Sequence, residues 1–195
     1  KACNFDFEAG LHGWKKTGTA FNNQPTYGDN PTARKRGQPA KQQGDWWIGG
    51  AENRPSKAAT PGALQGDGPQ GTLVSPFFKI VGKRISFKIG GGCDIKTVRA
   101  ELIVDDQVRQ SFRIAFSFVV WLSGCVAYKK FKYVSRFQVV KSSTGSCSET
   151  MSRKFWDVQA FVGRTARVKL VDFSSGGWGH INFDDLRGDI SCGQI

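Results

Sequence analysis

The stretch KRISFKIGGG, residues 83–92, places Ile85, Phe87 and Ile89 on one side and Arg84, Ser86 and Lys88 on the other. An apolar residue at every second position marks a β-strand with one buried face. Working outward, the same period recurs. VRAELIVDD at 98–106 alternates and is predicted to close on an Asp turn. GTLVSPFFKI at 71–80 is a strand interrupted at Pro76, because proline lacks the N–H that a ladder needs. DWWIGG at 45–50, RKFWDVQAFVG at 153–163, TARVKLVDFSS at 165–175 and GHINFDDLRGDISC at 179–192 add further strands. At the start, Phe5 and Phe7 alternate with Asp6 and Glu8 before Gly10 and Gly13 break the pattern, and Trp14 opens the next strand. The count is about eight strands with almost no helical periodicity, an all-β chain. Residues 22–45 and 51–71, rich in Asn, Gln, Pro and Gly, read as long surface loops.

The 195 residues suit one domain, 1–195, long enough to bury a core without metals. The opening at Lys1 reads as a mature or excised boundary, and no run of 18 apolar residues suggests a membrane span. None of the five cysteines falls in a C-x-x-C spacing, which argues against zinc and thioredoxin-like chemistry. Cys3 and Cys192 sit at the two ends, where a bond clamps the terminal strands of a sandwich. Cys93 then pairs with Cys147 and Cys125 is left over. Such bonds imply an extracellular, secreted protein; five buried thiols in a cytosolic chain is the alternative.

The net charge is +12, and half of it sits in segment 108–140. That segment carries Arg109, Arg113, Lys129, Lys130, Lys132 and Arg136, no acid and a strongly apolar remainder. The rest of the chain has an ordinary basic excess, so nucleic acid is not the expected partner. Segment 108–140 reads as an insertion of atypical composition. A hairpin turning at Ser123-Gly124 and a flap touching an anionic membrane are two readings. The third, which we favour, is a retained intron or gene-model artefact, so membrane contact is expected only if the segment is genuine.

The blocks FDFEAGLHGWKKTGTAF, GDWWIGG-x-E-x-RP, GTLVSPFFKI, ISFKIGGG, WDVQAFVGRTARVKLVD and SSGGWGHINFDDL resemble the β-sandwich module that accompanies glycoside hydrolase family 32 fructosidases. They resemble equally the related stand-alone modules of extracellular multidomain proteins. C-x-F-x-F-E-x-G-L-x-G-W and L-V-S-P are also similar to MAM domains, with His12 standing where those usually place a cysteine. Both resemblances imply a galactose-binding-like jelly-roll β-sandwich. They imply a non-catalytic recognition module, an accessory domain if its parent is a hydrolase. Fold alone does not fix the ligand.

In jelly-roll modules of this kind a structural calcium commonly joins the first strand to the last. The matching acids here are Asp6, Glu8, Asp184 and Asp185, with at most one of the adjacent pair expected to be a ligand. Glycan recognition needs flat aromatic faces and hydrogen-bonding groups; the candidates are Trp46, Trp47, Glu52, Arg54, Trp178 and His180. One of Trp46 and Trp47 should face the core. The run Arg34-Lys35-Arg36 reads first as a solvated loop, with a phosphate or glycosaminoglycan patch as the alternative. Arg187-Gly188-Asp189 is an RGD tripeptide, which integrins and other extracellular proteins read on a projecting turn. Catalysis finds little support: there are two histidines, no G-x-S-x-G, and Asp184 and Asp185 diverge along a strand.

Overall fold

The computed structural model describes residues 3, 5–111 and 131–193. Ten strands lie among them: β1 Lys15–Gly18, β2 Thr26–Tyr27, β3 Trp46–Gly49, β4 Gly71–Val74, β5 Phe78–Gly91, β6 Val98–Ser111, β7 Phe131–Ser143, β8 Ser148–Asp157, β9 Thr165–Asp172 and β10 Ile181–Ser191. One helical turn, α1 (Asn30–Ala33), follows β2, and a 3₁₀ turn follows β8. Every strand pairing is antiparallel.

The strands form two layers, β1-β4-β9-β6-β7 and β2-β3-β10-β5-β8. Strand β5 belongs to both. Phe78 and Lys79 pair with Ala166 and Thr165 of β9, whereas Arg84–Gly91 pair with β8. Its other edge pairs with β10 from Lys79 to Gly91. The sheet therefore folds over at the start of β5 into a jelly-roll β-sandwich.

The alternation at 83–92 decides what fills the interior. Ile85, Phe87 and Ile89 are almost fully buried. Phe87 stacks on Phe183 of β10 at 5.3 Å and tilts against Trp156 of β8 at 4.4 Å. Leu73, Ala166, Val168 and Leu170 meet them from the other layer. Phe5 and Phe7 pack on Trp14 at 5.6 and 5.3 Å. Burial of such rings contributes about 3–5 kcal/mol each, judged by the cost of truncation to alanine.

Three expectations change. Phe5 and Phe7 are buried as the alternation requires, yet residues 5–8 form bends and a turn, with Phe7 at φ 62°. A single bond, Leu186 N–H to the Phe5 carbonyl, stands where a ladder was expected. Strand β6 does not turn at Asp105; its pairing with β7 runs on from Ala100↔Ser143 to Ser111↔Phe131. Residues 22–45 are more than surface loop, since they contain β2 and α1 and bury Gln24, Thr26, Asn30 and Ala40.

Both expected disulfides are present, Cys3–Cys192 and Cys93–Cys147, each with Cα atoms 5.0 Å apart. Cys125 and the Ser123-Gly124 turn lie outside the described residues. The first bond closes a loop of 189 residues. Constraining so long a loop in the unfolded chain is worth about 2–5 kcal/mol. The double variant Cys3→Ser/Cys192→Ser is expected to melt several degrees lower in calorimetry; an unchanged melting temperature would count against the clamp.

Candidate functional site

A cleft of about 340 Å³ opens where α1, the 51–67 segment, β8 and the loop before β10 meet. Its construction starts at α1. Asp29 accepts the Thr32 N–H at 3.2 Å and caps the turn, which also begins with Pro31. Asn30 is fully buried and bonds to Glu52 Oε2 at 2.6 Å and to the Ala63 carbonyl at 2.9 Å. Arg34, at the end of the turn, consequently points inward. Its Nη1 donates to both oxygens of Glu52 at 2.7 Å and its Nη2 donates to Glu149 Oε1 at 2.9 Å. The expectation of a wholly solvated Arg34-Lys35-Arg36 run fails at Arg34, because two buried carboxylates require a cation there.

His180 precedes β10 and lies between two acids. Nδ1 is 2.7 Å from Asp67 Oδ1, and Nε2 is 3.2 Å from Glu149 Oε2. Burial of the ring opposes its protonation. Hydrogen bonds to Asp67 and Glu149, with their charges, outweigh that and raise its pKa to about 9. At neutral pH the imidazolium donates through both nitrogens. The same bond holds Asp67 below the usual carboxylate range. Burial pulls Glu149 upward, but His180, Asn182 and Arg34 together leave it lowered. Burial raises Glu52 against the pull of Arg34. Asp172, at the end of β9, is pushed up to about 7 by burial.

Trp178 forms the aromatic wall. Its φ is +62°, a conformation that costs a non-glycine residue about 1–3 kcal/mol unless its surroundings enforce it. Asp67 Oδ2 supplies part of that enforcement by accepting the Trp178 N–H at 3.0 Å. Gly179 supplies more, since a Cβ there would collide with the carbonyls of Ser174 and Gly176. The Arg36 guanidinium lies over the indole at 5.4 Å from its centroid. Leu64, Ala51, Gly66 and Gly177 complete the lining.

The six glycan candidates divide among three places. Trp178 and His180 line the cleft, and Glu52 stands behind it through Arg34. Trp47 is fully buried, with its indole N–H on the Gly28 carbonyl, but on the far side of β3 beside Ala40 and Met151; it is Trp46, on the side of Ile48, that packs against the sandwich core. Trp46 is half-buried against Tyr27, and Arg54 covers the same Tyr27 ring at 5.1 Å. Asp67 and Glu149 were missed. Nothing in their neighbourhoods, GDG and SETM, distinguishes them from ordinary turn and strand acids.

The four acids expected around a calcium do not converge. Asp6 accepts the Glu8 N–H within its own turn. Asp185 is paired with Arg153 and lies 3.4 Å from Arg187. Glu8 and Asp184 do meet on one stretch of chain. Glu8 Oε1 accepts the Asp45 and Trp46 N–H groups, both at 2.9 Å, and Asp184 Oδ2 accepts the Gln43 N–H at 2.6 Å. Asp184 is fully buried, which pushes it up to about 8. The oxygens that Glu8 and Asp184 turn to this stretch face backbone N–H donors, so a calcium here would rely on their remaining lone pairs and nearby carbonyls. Among the described residues no three His, Cys, Asp or Glu side chains cluster as a metal site.

The RGD tripeptide is not a projecting turn. Arg187 and Gly188 pair with Ser86 and Ile85 inside the β10–β5 ladder. Asp189 Oδ2 accepts the Arg84 N–H at 2.9 Å. In the cleft, hydrogen bonds from His180 hold both Asp67 and Glu149 below the usual carboxylate range.

No family model matches the chain. A curated protein of Aspergillus rugulosus named as a glycosyl hydrolase, ecdE, is 30% identical over 123 residues, 63% of this chain. The chain spans only 13% of that protein. Among solved structures, the K3 cleaved adhesin domain of Lys-gingipain from Porphyromonas gingivalis W83 is 15% identical, with 98% of each chain covered and a TM-score of 0.40. A structure described as a promiscuous carbohydrate-binding module of the β-sandwich superfamily is 12% identical, with 96% of this chain and 61% of that chain covered and a TM-score of 0.33.

The His180 bridge sets a pH dependence. Its folded pKa lies above the ordinary 6.5, so its contribution is complete below pH 6.5 and is lost as pH rises through about 9. Asp172 and Asp184, also raised, act in the same direction up to about pH 7 and pH 8, so His180 is the one of the three whose effect continues toward pH 9. Melting temperature should therefore decline between pH 6.5 and 9 in the parent chain, and His180→Gln should remove most of the decline above pH 7.5. An equally steep decline in the variant would show that His180 is not its source.

Proposed function

We propose that this chain is an extracellular, non-catalytic recognition module that binds a glycan in the cleft walled by Trp178. The observation that carries the reading is Trp178 itself, a large aromatic held in a left-handed conformation at the mouth of a polar cleft. Strain of this kind persists where the surroundings enforce it, and here they present a ring to a cavity instead of to the core. A pyranose lays its C–H face on such a ring and turns its hydroxyls to nearby polar groups. The cleft volume of about 340 Å³ lies in the range of small-ligand sites. The two disulfides support an oxidising, extracellular compartment.

In a longer parent the module would serve as an accessory domain, and similarity to a short part of a protein named as a glycosyl hydrolase accords with that. The adhesive alternative is weaker because Asp189 is occupied by the β5 backbone. We also propose a structural calcium at Glu8 and Asp184, where it would neutralise the buried carboxylate and fasten the 41–46 stretch to both chain ends. Gly44 leaves room for the Glu8 carboxylate there, since a Cβ at that position would collide with it.

A glycan array probed with the parent chain and with Trp178→Ala tests the main reading. Binding is expected to fall by about tenfold or more in the variant, as for a central aromatic contact, with the melting temperature preserved. A silent array from a folded parent would overturn it. Calcium is tested apart from the array: EDTA should lower the melting temperature, with recovery on adding Ca²⁺, and Glu8→Gln should abolish the response. Identical melting with and without EDTA would remove the ion from the proposal.

A further inference from the structure

We propose that the sugar recognised in this cleft carries a carboxylate, and that Arg36 receives it. The inference rests on the glycan reading above and narrows it to acidic sugars. It follows from which polar groups around the cleft are already engaged.

Three acids stand at or behind the cleft wall, and all six of their oxygens accept hydrogen bonds. Glu52 takes Arg34 on both oxygens and Asn30 on one. Glu149 takes Arg34 on Oε1, and His180 and Asn182 on Oε2. Asp67 takes His180 on Oδ1 and the Trp178 N–H on Oδ2. The inner cations are engaged too: His180 through both ring nitrogens and Arg34 through both terminal nitrogens.

Arg36 is different. Its side chain is 47% exposed, and its Nε lies 3.8 Å from Glu149 Oε1, too long for a hydrogen bond. It makes no side-chain hydrogen bond to a described residue; its main contact is the face of Trp178. A guanidinium resting on an aromatic ring engages its flat face and keeps its N–H edge for an acceptor. The cleft therefore offers a ligand the open N–H donors of Arg36, while Glu52 and Glu149 are buried and engaged and Asp67, 29% exposed, already accepts a hydrogen bond on each oxygen. Lys35, exposed beside Arg36, favours approach by an anion. A planar carboxylate matches the N–H fork in bidentate fashion, while the sugar ring it belongs to lies against the part of the Trp178 indole that Arg36 and His180 leave uncovered. Arg36 is thus the specificity-determining residue, and Arg34 and His180 hold the frame that presents it.

The test uses a matched pair of probes, a tetragalacturonate and its full methyl ester, titrated calorimetrically into the parent chain, Arg36→Gln and Trp178→Ala. The acid is expected to bind at least about tenfold more tightly than the ester, consistent with a charge-assisted bidentate pair. Arg36→Gln should abolish that preference, so that acid and ester bind with equal affinity. Arg36→Lys should recover only part of the preference, because it keeps the charge without the fork. Equal affinity for acid and ester, with both lost in Trp178→Ala, would overturn the carboxylate assignment and leave a neutral-glycan cleft standing. A preference for the acid that survives Arg36→Gln would overturn the role of Arg36. Binding of neither probe, together with a silent glycan array, would overturn the glycan reading itself.

Discussion

Strand β5 has to serve two layers at once, and the molecule is arranged around that requirement. Its first two residues pair with β9, its later ones with β8, and its other edge with β10. Fourteen residues in one strand make this feasible, because the sheet can twist along its length and fold over near Phe78. Once β5 is fixed, Phe87 lies between Phe183 and Trp156, and β10 is aligned beside it. That alignment delivers His180 and Asn182 to the rim, opposite Glu149 of β8. The cleft is therefore a consequence of strand order: both of its deep walls grow out of the two neighbours of one strand.

Buried charge is the second organising element. Arg34, Glu52, Asp67, Glu149 and His180 come from four segments and meet largely shielded from solvent. Such a group is costly to assemble and more costly to break, since removing one member strands its partner in low dielectric. It locates four connections at once: the end of α1, the 51–67 segment, the start of β8 and the Trp178 loop. Rigid framing of this kind allows a half-exposed residue such as Arg36 to stand in a defined place without a hydrogen bond of its own.

Much of the scaffold was legible in the sequence, and the reasons are local. Ile85, Phe87 and Ile89 alternate because one face of β5 is buried, and period two survives translation into coordinates. Adjacency on a strand sends Trp46 and Trp47 to opposite faces, Trp46 toward the sandwich core and Trp47 into a second buried cluster with Ala40 and Met151. The terminal cysteines announced their own pairing by position. The site was legible only in part. Trp178 and His180 stood out because aromatic and imidazole groups flanked by glycines are unusual. Asp67 and Glu149 did not, because an acid in a turn or on a strand is ordinary until its partner, 113 or 31 residues away, is known. Residues 5–8 misled for a related reason. Burial of Phe5 and Phe7 imposes the same alternation whether the backbone is laddered or bent.

The course of β10 has a consequence for how the module would be carried. His180, at the cleft, precedes its first residue, and Cys192, bonded to Cys3, follows its last. Eleven residues of strand at roughly 3.3 Å each separate the two by about 35 Å. Polypeptide attached at either extremity would thus depart from the pole opposite the opening. Tethered in that manner, the domain faces outward like a lamp on its stem, and neighbouring domains would not shade the mouth.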